Sequence, residues 1–110
     1  VRRSEVIKIT DQIEIAYQWL DAQEKVLHPT KKGWALKHMI ERWGGTYIRE
    51  EDVVWAARLH HQIFGVYPNY NISERLVLPD DCRLIGIPSA STTAKREPMW
   101  KQNYSVKERW

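Results

Sequence analysis

The sequence predicts a mainly α fold: three helices, a small β-hairpin after them, and an extended basic and aromatic C-terminal arm. Three observations lead there. Apolar residues recur at helical spacing in three separate segments, each bounded by capping or breaking residues. Two apolar runs flank Pro79-Asp80-Asp81, as strands flank a turn. From Ser89 onward the apolar periodicity stops, which divides the chain into a body at 1–88 and an arm at 89–110.

The first helix is expected over TDQIEIAYQWLDAQEKVL, with Thr10 or Asp11 as N-cap and His28-Pro29 as its end. Placed at about 100° per residue, Ile13, Ala16, Tyr17, Leu20 and Leu27 share one arc, the natural core face. Ile15, Trp19, Ala22 and Val26 form a second arc. A helix with two apolar arcs must bury both. Either it lies between two layers of its own domain, or one arc meets another chain.

The second helix is expected over TKKGWALKHMIERWGG, capped by Thr30 and stopped by Gly44 or Gly45. Ala35, Leu36, Met39, Ile40 and Trp43 make its apolar face. Trp34 falls on the opposite side, among Lys31, Lys37, His38, Glu41 and Arg42. An indole in that company packs beneath the lysine stems, docks against the arm, or offers its ring to a partner.

TYIREEDVVWAARLHHQIFG gives a short extended entry and then the third helix. Glu50, Glu51 and Asp52 occupy its first turn, where negative charge favours the helix dipole, and Gly65 is positioned to close it. Val53, Ala56, Ala57, Leu59, Ile63 and Phe64 span a wide apolar arc, the mark of a central core helix, with His60 inside it. VYPNYNIS reads as a loop, and RLVLPDDCRLIGIP as the hairpin.

At 110 residues and 43% apolar content there is material for one domain with a core. One cysteine excludes an internal disulfide framework and a Cys-only zinc site. The apolar runs are too short to span a membrane, and the start lacks the apolar stretch of a signal peptide. Those features predict an intracellular, cytoplasmic protein or a virion component. The net charge of +3 is local. Residues 1–94 hold 12 basic and 12 acidic residues, while residues 95–110 hold five basic against two acidic. Residues 31–42 form a second basic island, four against one. Two basic islands on an otherwise neutral chain favour local contacts with an anionic partner.

The chemistry-bearing residues do not assemble into a catalytic pattern. His60 and His61 are adjacent, so on a helix they diverge and cannot share a metal as an i, i+4 pair would. Cys82 follows Asp80 and Asp81, whose charges disfavour the thiolate a nucleophile needs. WGGTY and LIGIPS lack the spacing and lysine of a phosphate-cradling loop. No catalytic residue, metal or cofactor is assigned. The element order invites comparison with a winged helix, but one helix stands between the first strand and the hairpin where two are needed. The turn ERWGGTYIREED is also too long for a helix-turn-helix, and the helix after it opens on three acids that phosphates would repel.

Binding is therefore the expected role: a non-catalytic subunit or adaptor of a larger assembly, with a protein partner or as a homo-oligomer. Trp100, Tyr104 and Trp110 of the arm, and the stripe Ile15, Trp19, Ala22 and Val26, are its expected contacts. The alternative is a small nucleic-acid-binding regulator. Lys31, Lys37, His38, Arg42, Lys95, Arg96 and Lys101 would meet phosphates, and Trp34 would stack on bases. An ordered arm needs a seat on its own body, on a neighbouring copy, or on nucleic acid.

Overall fold

A computed structural model describes residues 8–31, 34–90 and 104–109. Helix α1 (Asp11–Ala22) begins as expected, with the Thr10 hydroxyl accepting from the Ile13 N–H at 3.2 Å. It ends six residues before His28, because the chain finds better partners. The Gln23 side chain donates to the Val77 carbonyl at 2.8 Å and accepts from the Val77 N–H at 2.9 Å. Beyond it, Ser73 N–H donates to Glu24 O and Val26 N–H to Asn71 O, and Lys25 bridges antiparallel to Ile72. The segment trades helical bonds for sheet-like ones. Leu27 consequently leaves the core arc and stands 86% exposed.

Helix α2 (Leu36–Gly44) starts after Trp34, not at Thr30. Thr30 is no cap: its N–H donates to the Tyr70 carbonyl and its hydroxyl to that of Ile72. Gly45, at φ 73°, ends the helix in the left-handed conformation that a side chain disfavours. Gly44 serves packing instead: a Cβ there would lie 2.6 Å from Cγ2 of the fully buried Ile15. Gly44→Ala should therefore destabilise the fold by about 1–3 kcal/mol through overpacking, despite the gain in helix propensity. A lowered urea midpoint at unchanged slope checks this, and a raised one contradicts it.

Helix α3 (Glu50–Leu59) opens with its three acids, and the Asp52 carboxylate accepts from the Arg49 N–H at 2.9 Å. It packs chiefly against α1. It stops before His60, short of the expected Gly65, so Leu59 and Phe64 are exposed and not in the core. The hairpin also lies elsewhere than expected. Strands β1 (Gly65–Val66) and β2 (Asn69–Tyr70) pair antiparallel inside the segment read as a loop, around a cis Tyr67–Pro68 bond. In RLVLPDDCRLIGIP, the first run gives β3 (Val77–Leu78), but the second forms a 3₁₀ helix at Asp81–Leu84. Asp80 Oδ1 accepts from Cys82 N–H at 2.8 Å, an N-cap where a hairpin turn was expected.

Strand β3 pairs in parallel with β4 (Val106–Lys107), from the region assigned to the arm. The fold is thus mainly α with two small two-stranded sheets. Ile13, Ile15, Trp19, Leu20, Leu36, Ile40, Ile48 and Val53 form its centre, with Tyr70, Ile72, Leu76 and Leu84 closing it. Among the described residues no helix is long and apolar enough to cross a membrane.

Candidate interaction surfaces

The expected partner stripe on α1 is internal. Ile15 and Trp19 have no exposed surface and Ala22 is half-buried, while Val26 falls beyond the helix end. Both apolar arcs of α1 are buried in their own domain. Sandwiching between layers of one fold, the first of the two arrangements open to such a helix, is the one adopted.

Of the three aromatics assigned to the arm, Tyr104 is described, and it sits on its own body. Its hydroxyl accepts from Trp19 Nε1–H at 2.9 Å, with the rings 6.4 Å apart. Burial pushes the Tyr104 phenol up to about 12, against the opposing pull of the Trp19 N–H and the charge of nearby Arg42. The strand continues the attachment: Ser105 and Val106 N–H donate to Leu76 O, and Glu108 N–H to Leu78 O. The Glu108 carboxylate accepts from Arg83 Nε and Nη2, both at 2.7 Å, and from the Asp80 N–H at 2.9 Å. Residues 104–109 of the expected arm at 89–110 are therefore seated on the body. Trp100, Trp110, Lys95, Arg96 and Lys101 lie outside the described residues.

Arg83 ties this seat to the core. Its Nη1 donates to Gln18 Oε1 and to Asp21 Oδ2, each at 3.0 Å. Asp21 Oδ1 is 2.8 Å from His60 Nε2, while His60 Nδ1 accepts from the Gln62 N–H at 3.1 Å. His60 is thus a buried, doubly bonded ring, and its Nε2 carries the proton toward Asp21. Burial pushes the Asp21 carboxyl up, but hydrogen bonds from His60 and Arg83 outweigh it and hold it below the ordinary value. Glu108, and then Asp21, raise the Arg83 guanidinium further above its usual range. The dyad resembles a base and its orienting acid only in composition, since the nitrogen a base would use is occupied. Cys82 is exposed, and Asp80 pushes its thiol up, as the sequence led one to expect.

A set of exposed apolar side chains lies on the loops beside β2, with little signal of it in the sequence. Buried Asn71 donates from Nδ2 to Val26 O and Gln62 O, and its Oδ1 accepts from Phe64 N–H at 2.7 Å. Asn69 reaches from the hairpin to the carbonyls of Thr30 and Lys31. These bonds fasten segments 26–31 and 62–66 to β2 as neighbours. Leu27, Phe64 at 51% and Val66 at 79% exposure are carried on these fastened segments. The signal that could have revealed it was Asn71 itself, an amide between apolar residues.

The basic residues of 31–42 are partly gathered. Lys31, His38 and Arg42 are exposed and Lys37 half-buried, with its N–H donating to the Tyr67 hydroxyl. Trp34 precedes α2 and packs, half-buried, against the core. Arg42 is the one whose charge is felt at the C-terminal seat. No known family model, curated protein or solved structure matches the chain.

Proposed function

We propose that this chain is a non-catalytic subunit or adaptor of a larger assembly, docking an apolar protein partner on the surface of Leu27, Phe64 and Val66. The single observation that supports this reading is the Asn71 hub. A fully bonded buried amide fixes two loops so that three large apolar side chains remain in water. Scattered apolar residues need no explanation, but a rigidly supported group of them fits a contact region. His28, Lys31 and Tyr70 are the ionisable residues of the three linked segments, a sparsely charged set that suits protein better than phosphate. Full-length chain returned to its source cells should migrate at an assembly mass. Phe64→Asp and Leu27→Asp should each weaken that assembly by about thirtyfold, the effect of losing an interface anchor. A single-chain mass for the unaltered protein would remove the reading.

Nucleic-acid binding is the second reading, and one observation favours it: the charge of Arg42 is felt at Tyr104, the residue that follows the basic 95–103 stretch in the sequence. On that reading Lys31, Lys37, His38 and Arg42 act with Lys95, Arg96 and Lys101 on phosphates. Affinity for a single-stranded oligonucleotide should then fall steeply with salt, and a flat response would dispose of it.

A further inference from the structure

We infer that the seat of residues 104–109 accepts the same segment from a second copy, so that copies of this chain join by exchanging their C-terminal strands. This deepens the assembly reading by naming one partner, a second copy, and it rests on that reading. The seat is built wholly from the body: Trp19 supplies an N–H for the Tyr104 hydroxyl, Leu76 and Leu78 supply strand carbonyls, and Arg83 supplies a two-pronged grip on Glu108. Together these recognise an extended peptide by an aromatic hydroxyl, a backbone ladder and a carboxylate four residues on, the features of strand addition. Each contact is equally available to a strand arriving from another molecule.

Length permits the arrival. Thirteen positions, 91–103, separate the body at Ala90 from Tyr104. Fully extended, such a stretch reaches about 45 Å, which matches the longest dimension of the molecule at 43 Å. Its sequence, STTAKREPMWKQN, shows no apolar stripe that would tie it to one path. Because closed and exchanged forms make identical contacts, the balance between them is set by the connector and not by the seat. A connector of this length gives an effective concentration on the order of millimolar. Copies gathered in an assembly meet that condition, and dilute copies close on themselves.

The test uses the full chain, half of it isotope-labelled, refolded together and followed from micromolar to millimolar concentration. Two-chain mass should grow toward millimolar, and isotope-filtered spectra should show Trp19 of one copy against Tyr104 of the other. Removing residues 92–97 should lower the midpoint concentration at least tenfold, since a shorter connector hinders self-closure. Glu108→Gln should leave the midpoint within about twofold while speeding exchange about tenfold, because both forms lose the same contact. A single-chain mass up to millimolar for the full chain overturns the inference. So does a two-chain mass without the cross-copy Trp19–Tyr104 contact. If that mass disappears on Phe64→Asp, exchange is refuted while the assembly reading stands. Should the shortened chain fail to fold, the spectra of the full chain decide alone.

Discussion

Trp19→Ala should lower stability by about 3–5 kcal/mol, a large share of the roughly 5–15 kcal/mol that holds a domain of this size. Trp19 has no exposed surface, and it joins two parts of the molecule that are 85 positions apart in the chain. Its ring fills the space between α1 and the rest of the core, and its N–H holds the Tyr104 hydroxyl. Truncation opens a cavity where dense packing leaves little room to collapse. Thermal unfolding should shift downward by more than 10 °C. Trp19→Phe separates the two contributions. It keeps most of the ring but leaves the Tyr104 hydroxyl without its donor, and should cost about 1–2 kcal/mol beyond the change in volume. Trypsin cleavage after Lys107 reports on the strand directly, because β4 must leave β3 before the protease can reach it. In Trp19→Ala that cleavage should accelerate at least tenfold under folding conditions. An unchanged cleavage rate would mean that strand pairing and the Arg83 grip hold the segment without Tyr104.

The three helices were legible because their signals are local. Thr10 caps α1, three acids open α3, and Gly45 closes α2, each within a few residues of the turn it serves. What was illegible depends on partners distant in sequence. Nothing near Gln23 announces that its amide will satisfy both backbone groups of Val77, 54 residues on, and so end the helix early. His60 falls on the apolar arc of a longer helix, yet its pairing with Asp21, 39 residues back, fits a chain that has already left the helix. The same reason explains the surfaces. The apolar stripe of α1 was correctly seen as needing cover, but which side supplied that cover was decided by Tyr104 and by residues 70–84. Leu27 and Phe64 were placed in the core on the assumption that two helices continue, and they became surface once those helices stopped. Local grammar predicts where helices start. Side-chain amides and rings from elsewhere determine where they end.

Arg83→Met should cost about 2–3 kcal/mol at neutral pH and make the remaining stability less dependent on acid than in the unaltered protein. The methionine keeps the stem's volume but removes every charged donor. Glu108 then keeps the Asp80 N–H alone among the contacts described above, and Asp21 keeps His60 alone. Removing the guanidinium that two carboxylates share in a partly buried cluster is costlier than the pair is beneficial, which places this single change above the usual effect of a surface ion pair. The pH behaviour follows from the direction of the Asp21 shift. Its folded value lies below the ordinary 3.8, so the stability it contributes is complete above that value and disappears as pH falls through the lower folded one. The unaltered protein should therefore hold its stability down to about pH 4 and lose it progressively below. Arg83→Met removes one of the two hydrogen bonds that depress the carboxyl, leaving burial to push it upward. The acid-driven loss of stability that Asp21 contributes should then shrink, because its folded and unfolded values draw together, and carbon-detected titration of the Asp21 carboxyl should show the upward displacement. Asp21→Asn in the Arg83→Met background should remove what remains of that contribution from the stability curve, since the titrating group is gone. If the single variant instead titrates as the unaltered protein does, the link from His60 through Asp21 to the C-terminal strand carries no energy, and the strand is held by its backbone ladder and Tyr104.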